Sequence, residues 1–560
     1  MTNDSASLHF VLAVLVAAFA WVLYSPDAYI GTKLLLAILA LSALGAIIVG
    51  TKLAIANIRT YRMERAANKN TGQHGTADWP SAATMTKHGL YDPANGIPIC
   101  AYEGAPIFSG FTHRLSLGGA GTSKTTGLIV PELCHMGASS DPTLPRSAIV
   151  ADLKSVLVAM TAQMRETVFG DTVILLDPAG TTGRPSARFN PLQPLMDMFN
   201  SANAMLRKLF VSDVAEFVEQ LLSDPPGGLD KNKFFLLGAR KLMRFVTLVL
   251  SVCFPQLATL PHIARTLMNQ DELERLLAFG TTVDDLDGAI ADLANDLLQT
   301  LKTSSDHFGD FREQCSQALA PYMAPSPLAD AVSATDFDWK ILKETNAIVY
   351  IVSDPSNQKV FAPWTGLMFH SAMRALIRCQ NTVPVALIMD EGTGYPVQML
   401  PNVLAQLREY GLRLDFSAQS EVEIERTMGR HMLPVLEDNC SIHQYLGPAG
   451  SLSLARKISE RLGNKTEHEI SYSISGTRQR RDVSQSVRQF GVPLLRPDEI
   501  MALDAKKQIV FIRDHGLRGF VGDTLTYNQV PQWWQWLDNN PFYGSKLPPD
   551  FRYDINYRRK

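Results

Sequence analysis

The stretch that decides the fold is Gly118-Gly119-Ala120-Gly121-Thr122-Ser123-Lys124-Thr125-Thr126. It follows a short apolar run, Leu115–Leu117, and opens a helix-compatible stretch from Gly127 to Met136 that Pro131 is expected to kink. Gly118, Lys124 and Thr125 fall in register with the phosphate-loop pattern GxxxxGK[ST]. The N–H groups of Gly119–Lys124, at a helix N-terminus, would form an anion nest. Lys124 would reach the β/γ-phosphates, and the Thr125 hydroxyl would ligate Mg²⁺. Gly118 to Thr126 is therefore the candidate phosphate-binding set. Ser123 stands where the pattern has glycine. A Cβ there is expected to cost on the order of 1 kcal/mol of strain, weakening nucleotide binding without abolishing it.

A glycine-rich turn alone carries limited weight. A second motif changes its meaning. Val385-Ala386-Leu387-Ile388-Met389-Asp390-Glu391 is an apolar run ending in two carboxylates, the Walker B arrangement. A buried strand would deliver Asp390 to the magnesium shell, and Glu391 would polarise the attacking water. Both motifs occur in the right order, each at a strand's C-terminal end, where open α/β sheets bind ligands. Arg413–Ser417 reads as a further strand, with Gln419 at its tip as a candidate γ-phosphate sensor.

Working outward, Ser147–Ala151, Thr172–Leu176, Ala347–Val352 and Gln508–Ile512 are further short apolar or β-rich runs. Several are continuous rather than alternating, as in a parallel sheet covered on both faces. Ser201 to about Ala329 carries almost no strand signal. Within it, Leu236, Leu237, Ala239, Leu242, Phe245, Val246 and Val249 make a helical apolar stripe. The chain thus reads as α/β with an inserted all-α domain. The expected divisions are 1–60 (membrane), 61–200 (first part of the nucleotide-binding domain), 201–330 (helical insert), 331–530 (second part) and 531–560 (tail).

Leu8–Tyr24 and Leu34–Gly50 are uncharged runs; Ser25-Pro26-Asp27 breaks the first, and the short connection between them holds only Asp27 and Lys33 as charges. Each would rise about 25 Å as a helix, slightly short of a hydrocarbon core of about 30 Å. Lys52, Arg59, Arg62, Arg65 and Lys69 follow, against only Glu64. The positive-inside rule then puts both the N-terminus and the main body in the cytoplasm.

The 560 residues suggest two to four domains, and 46% apolar content excludes a disordered chain. Lys+Arg number 52 against Asp+Glu 55, so nucleic-acid contact would need a local basic patch. Arg478, Arg480, Arg481 and Arg488 form the densest such cluster beyond the juxtamembrane segment, in a stretch that reads as a loop or hairpin. Trp533, Trp534 and Trp536 suit core packing better than docking. The six cysteines contain no CxxC pair, which fits a reducing compartment without a disulfide framework or zinc module.

Together these elements resemble the type IV coupling proteins, the TraG/TraD-like conjugative DNA-transfer ATPases. The resemblance runs from the apolar N-terminus to about Tyr527. Its marks include His74–Trp79, Ala151-Asp152-Leu153-Lys154, Leu176-Asp177-Pro178-Ala179 and Ala187–Leu192. Further marks are Asp390-Glu391, Tyr410–Arg413 with Gln419-Ser420, and Pro493–Leu495 with Pro497–Ile500. Ser123 and Ser155 depart from the family pattern, each standing where glycine is usual.

The resemblance implies a RecA-like P-loop domain with an all-α insert and two transmembrane helices. It implies a multi-pass protein of the bacterial inner membrane and a homo-hexamer with ATP and Mg²⁺ at subunit interfaces. Lys124, Glu391 and Gln419 would be catalytic, with Arg408 acting in trans. Thr125 and Asp390 would hold the metal. The implied partners are type IV secretion channel subunits and a relaxase bound to single-stranded DNA, or effector proteins. A docking receptor with weak or no ATPase activity and an FtsK-like DNA translocase are the alternatives.

Overall fold

The computed structural model describes residues 16–17, 19–21, 29–67, 74–110, 112–139, 144–225, 233–381, 383–395, 397–475 and 482–557. They divide into two compact units, Met1–Ala77 with Gly463–Leu494, and Asp78–Leu462 with Leu495–Lys560.

Thirteen strands occur among the described residues. They are β1 (Ile97–Tyr102), β2 (Ala105–Ser109), β3 (Arg114–Gly118), β4 (Ser147–Asp152), β5 (Thr172–Leu176), β6 (Ala347–Val352), β7 (Val385–Met389), β8 (Leu412–Ala418), β9 (Ile442–Leu446), β10 (Asn464–Ser475), β11 (Asp482–Pro493), β12 (Lys507–Ile512) and β13 (Phe520–Asp523). All seven strands expected from apolar runs are present. β10 and β11 pair with each other; the other eleven form one sheet in the order β2-β1-β13-β12-β9-β3-β8-β7-β4-β6-β5.

From β9 to β5 every pairing is parallel. β4, β6 and β7 are buried along their whole length, which explains their unbroken apolar sequences. One face sends Ala148, Val150, Ile348, Tyr350, Val352, Ala386 and Ile388 into a core shared with the helices Val130–Ala138, Val156–Thr167 and Pro531–Trp536. Successive residues of a strand point to opposite faces, so alternate positions supply this layer. Antiparallel β12, β13, β1 and β2 extend the sheet beyond β9.

Between β5 and β6 the described residues of 201–330 contain helices and no strand. The helix Lys233–Cys253 buries Ala239, Leu242, Phe245, Val246 and Val249, as its spacing predicts. Leu237 is exposed instead. Gly238 packs directly under the Phe311 ring, where a Cβ would lie 2.2 Å from ring carbons. The chain beyond 530 packs into the core: Trp533, Leu537 and Ile555 are all buried there.

In the other unit, a helix runs from Ile30 to Ala67. Its segment Ile30–Ile55 has a mean hydropathy of 2.5, none of its described side chains is buried, and it is long and apolar enough to cross a membrane. It extends beyond the expected Leu34–Gly50 at both ends, because the helix already begins at Ile30 and Thr51 and Lys52 continue it. Most of the first expected span, Leu8–Tyr24, lies outside the described residues. The hairpin β10–β11 pairs Asn464 with Pro493 through to Ser475 with Asp482. The Thr466 hydroxyl accepts from His74 N–H and donates to the Gly75 carbonyl, fixing the start of β10 to the chain before it.

Candidate functional site

β3 ends at Gly118, between Leu446 of β9 and the tip of β8, where Leu117 faces Ala418. A Cβ on Gly118 would lie 2.6 Å from Thr122 Oγ1 and 2.9 Å from Leu446 Cβ, so the turn needs glycine. Nothing lies within 4 Å of where Gly119 and Gly121 would carry a Cβ. Both glycines therefore border open space. Thr122 Oγ1 donates to the Gly119 carbonyl at 2.8 Å and braces the turn. Ser123 has φ +62°, the left-handed region, so the departure from glycine falls where a side chain is strained. The following turn, Thr125–Ile129, is wound as a π-helix before the α-helix Val130–Ala138. Pro131 sits at the start of that α-helix, where its missing N–H is tolerated.

Lys124 Nζ donates to the carbonyls of Gly118 and Gly119. Burial lowers its pKa, while Asp390 and Glu391 act in the opposite direction. Those carboxylates arrive on β7, separated from β3 by β8. Thr125 Oγ1 lies 3.5 Å from Asp390 Oδ2. Asp390 is pushed up to about 7, first by burial and then by the neighbouring Glu391 and Asp152 carboxylates. Such a group is short of positive charge, and hard oxygen donors from a hydroxyl and a carboxylate suit Mg²⁺. The glycine-rich loop with open space beside Gly119 and Gly121, together with this oxygen pair, fits a phosphate chain with its magnesium.

Glu391 has φ +50° and accepts from Lys154 Nζ at 3.2 Å. Lys154 follows β4, which is hydrogen-bonded to β7 with Ala151 facing Met389. Asp152, at the end of β4, accepts from the N–H groups of Lys154, Val156 and Val158, capping the next helix. Gln419 is exposed at the tip of β8, beside the mouth of the loop. Ser420, not Gln419, caps the next helix by accepting from Glu423 N–H.

The structure does not bring Arg408 to this edge. It is exposed before the N-terminal end of β8, and Gln419 follows the other end. At about 3.3 Å per residue the two are separated by more than about 20 Å along the strand. Within one chain Arg408 cannot reach the loop. Arg478, Arg480 and Arg481 lie outside the described residues, and Arg488 is exposed on β11 opposite Glu469.

Two features were not read from the motifs. One is the Lys154–Glu391 contact. The other is a buried quartet beneath the loop. Arg114 of β3 pairs with Glu132 of the loop's helix and, at 2.8 Å, with Asp415 of β8. Arg413 of β8 bonds Glu132 at 3.0 Å and Asp415 at 2.5 Å. Burial pushes the Glu132 carboxyl up, whereas the two guanidinium groups hold Asp415 down against its own burial. The signal was the presence of Arg114, Arg413 and Asp415 inside otherwise apolar strands.

The chain is 25% identical to a conjugal transfer protein TraG of Escherichia coli over 508 residues, covering 81% of this chain and 74% of that one. It is 22% identical to a protein VirD4 of Rhizobium rhizogenes over 462 residues, covering 80% and 64%. The plasmid coupling protein TrwB, solved in complex with the ATP analogue ADPNP, superposes with a TM-score of 0.57 at 14% identity, covering 80% of this chain and 93% of that one. TrwB in complex with ADP and Mg²⁺ gives 0.54 at 15% identity, covering 81% and 96%. These likenesses show a shared P-loop fold of mixed sheet and helices. The family model described as "Type IV secretory system Conjugative DNA transfer" matches residues 67–516, and the chain belongs to that family.

Proposed function

We propose that this chain is an inner-membrane coupling ATPase that receives a relaxase–DNA complex or an effector protein and feeds it to a type IV secretion channel. The observation that carries the ATPase reading is the approach of Thr125 Oγ1 to Asp390 Oδ2, 3.5 Å apart at the C-terminal edge of a parallel sheet. Family membership and relatives named for conjugal transfer support the coupling role.

Bound ATP with Mg²⁺ would supply a phosphoanhydride whose hydrolysis drives substrate movement. Lys124 and the amides of Gly119 to Thr126 bind and orient the phosphate chain. Thr125 and Asp390 hold the metal. Glu391 takes the proton from the attacking water. Gln419, exposed beside the loop, orients that water or reports the terminal phosphate. Arg408 completes the site of a neighbouring subunit in a homo-hexamer. Its distance from its own loop supports a role in trans.

Membrane anchorage is supported by the apolar helix through Ile30–Ile55. A second span is supported by the uncharged run Leu8–Tyr24. Arg478, Arg480, Arg481 and Arg488 contact the phosphate backbone of a single strand.

The test is nucleotide binding, turnover and conjugative transfer in the full-length hexamer. Lys124→Ala is expected to lose binding. Glu391→Gln is expected to bind nucleotide but lose turnover and transfer. Wild-type turnover in both variants defeats the motor reading. A receptor with weak hydrolysis is the second reading, favoured by the strained Ser123. It is preferred if transfer persists when turnover is abolished.

A further inference from the structure

Among the described residues, six that are not glycine have positive φ: Glu103, Ser123, Ser155, Leu286, Asp287 and Glu391. Three of the six border the nucleotide site. Ser155 (φ +58°) and Glu391 (φ +50°) follow the C-terminal ends of the neighbouring strands β4 and β7. Backbone held in this region needs surroundings that fix it, and such positions gather where function demands them. Ser155 Oγ shares a 2.7 Å hydrogen bond with Thr181 Oγ1, one of the contacts that fix its turn. Between the two strained positions lies Lys154, whose ammonium reaches Glu391 Oε1 at 3.2 Å.

Lys154 faces more than Glu391. Its charge also acts on Asp390 and on Lys124. It is thus a second ammonium at the phosphate site, supplied by β4 rather than by the loop. Its side chain is 60% exposed, whereas Lys124 is buried. An exposed ion pair is screened by water and easily exchanged. A phosphate group carrying more than one negative charge is a stronger partner for an ammonium than a lone carboxylate.

We infer that Lys154 is a positioning residue that holds Glu391 while no triphosphate is bound and transfers to the terminal phosphate when one binds, so that the base is released only by a triphosphate. This rests on the nucleotide site proposed above. It adds a residue that separates triphosphate from diphosphate and ties that distinction to the proton acceptor. The exchange makes and breaks only ion pairs and hydrogen bonds. Lys154→Arg would keep the charge, and Lys154→Met would keep the stem without it.

The experiment compares the affinities of ADPNP and ADP, both with Mg²⁺, for full-length protein in detergent. It is paired with amine labelling of Lys154 read by mass spectrometry. Lys154→Met is expected to lower the preference for ADPNP over ADP about tenfold, the scale of one charge-assisted hydrogen bond. Lys154→Arg is expected to restore most of that preference. Glu391→Gln removes the competing carboxylate and is expected to tighten ADPNP binding only when Lys154 is present. In wild type, ADPNP should protect Lys154 from labelling and ADP should not. An unchanged ADPNP/ADP ratio in Lys154→Met overturns the inference, as does an equal loss for both nucleotides. Lys124→Ala serves as the separate control. If it binds both nucleotides like wild type, the site itself has been misassigned; if it loses both, the site stands whatever Lys154 does.

Discussion

Thr125 and Asp390 lie 265 positions apart in sequence, yet the threonine hydroxyl stands 3.5 Å from the aspartate carboxylate. The sheet order produces this approach. β8 lies between the strand that carries the loop and the strand that carries Asp390, and all three run parallel. Their C-terminal ends therefore open on one edge. Thr125→Val keeps the volume and removes the oxygen. It is expected to lower Mg²⁺-dependent ADPNP affinity about tenfold, as when the surroundings of a bound metal are disturbed. Metal-free ADP binding should be almost unchanged. Calorimetric titration with and without Mg²⁺ checks this, and equal losses in both conditions contradict the metal role.

Ser123 occupies a left-handed position at φ +62°. Ser123→Gly removes the Cβ from that position, and the loop amides stay in place. Relief of about 1 kcal/mol in the bound loop conformation corresponds to about a fivefold gain in nucleotide affinity. Ser123→Ala retains the Cβ and is expected to bind as wild type. If the alanine variant gains as much as the glycine variant, the hydroxyl rather than the backbone limits binding.

The quartet of Arg114, Glu132, Arg413 and Asp415 joins the loop's strand, the loop's helix and the Gln419 strand inside the core. Arg413 is fully buried. Arg413→Met leaves two buried carboxylates facing one guanidinium. Removing one partner of such a network costs about 3–5 kcal/mol. Denaturant unfolding is expected to show that loss. A loss below about 1 kcal/mol would mean the charges are already hydrated in the folded protein.

The parallel core was legible because β4, β6 and β7 are buried on both faces, which forces continuous apolar sequence. β9 escaped because its sequence, Ile-His-Gln-Tyr-Leu, carries polar groups in place of a continuous apolar run, and Gln444 finds its partners on distant strands. Gln444 Nε2 donates to Gln508 Oε1 of β12 and to the Ile99 carbonyl of β1. No local pattern announces such a pairing. β1 escaped because Pro98 stands inside it, where its pairing with β2 shifts register. The loop and the Asp390-Glu391 pair were legible because each motif is contiguous. The contact between Lys154 and Glu391 was not, because it depends on β4 lying beside β7, and strand order is not written in either segment.

The last prediction concerns His135, on the helix that follows the phosphate loop. Its Nε2 lies 2.9 Å from the Gly96 carbonyl, which can only accept, so Nε2 carries the proton of the neutral ring. Nδ1 then accepts from the Tyr557 hydroxyl at 3.1 Å, and that hydroxyl accepts from Trp533 Nε1 at 2.7 Å. The neutral ring is fully satisfied and ties the chain beyond 530, a C-terminal strap, to the core. Burial holds His135 at about 4, below its ordinary value of about 6.5. Between those values the unfolded chain binds the proton and the folded protein does not. Stability from this group is therefore complete above about pH 6.5 and is lost as pH falls towards 4. At pH 5 the loss is about 2 kcal/mol. His135→Gln removes the titration, so its deficit against wild type should shrink by about 2 kcal/mol between pH 7.5 and pH 5. Taking the difference between variant and wild type cancels the opposite contribution of Asp152, which burial pushes up to about 6 in both proteins. Tyr557→Phe strands the Trp533 N–H and leaves Nδ1 without a donor. It should destabilise by about 2–4 kcal/mol at pH 7.5. A His135→Gln deficit that does not change with pH would mean that the folded protein accepts the charged ring, and the strap would then be held by apolar packing alone.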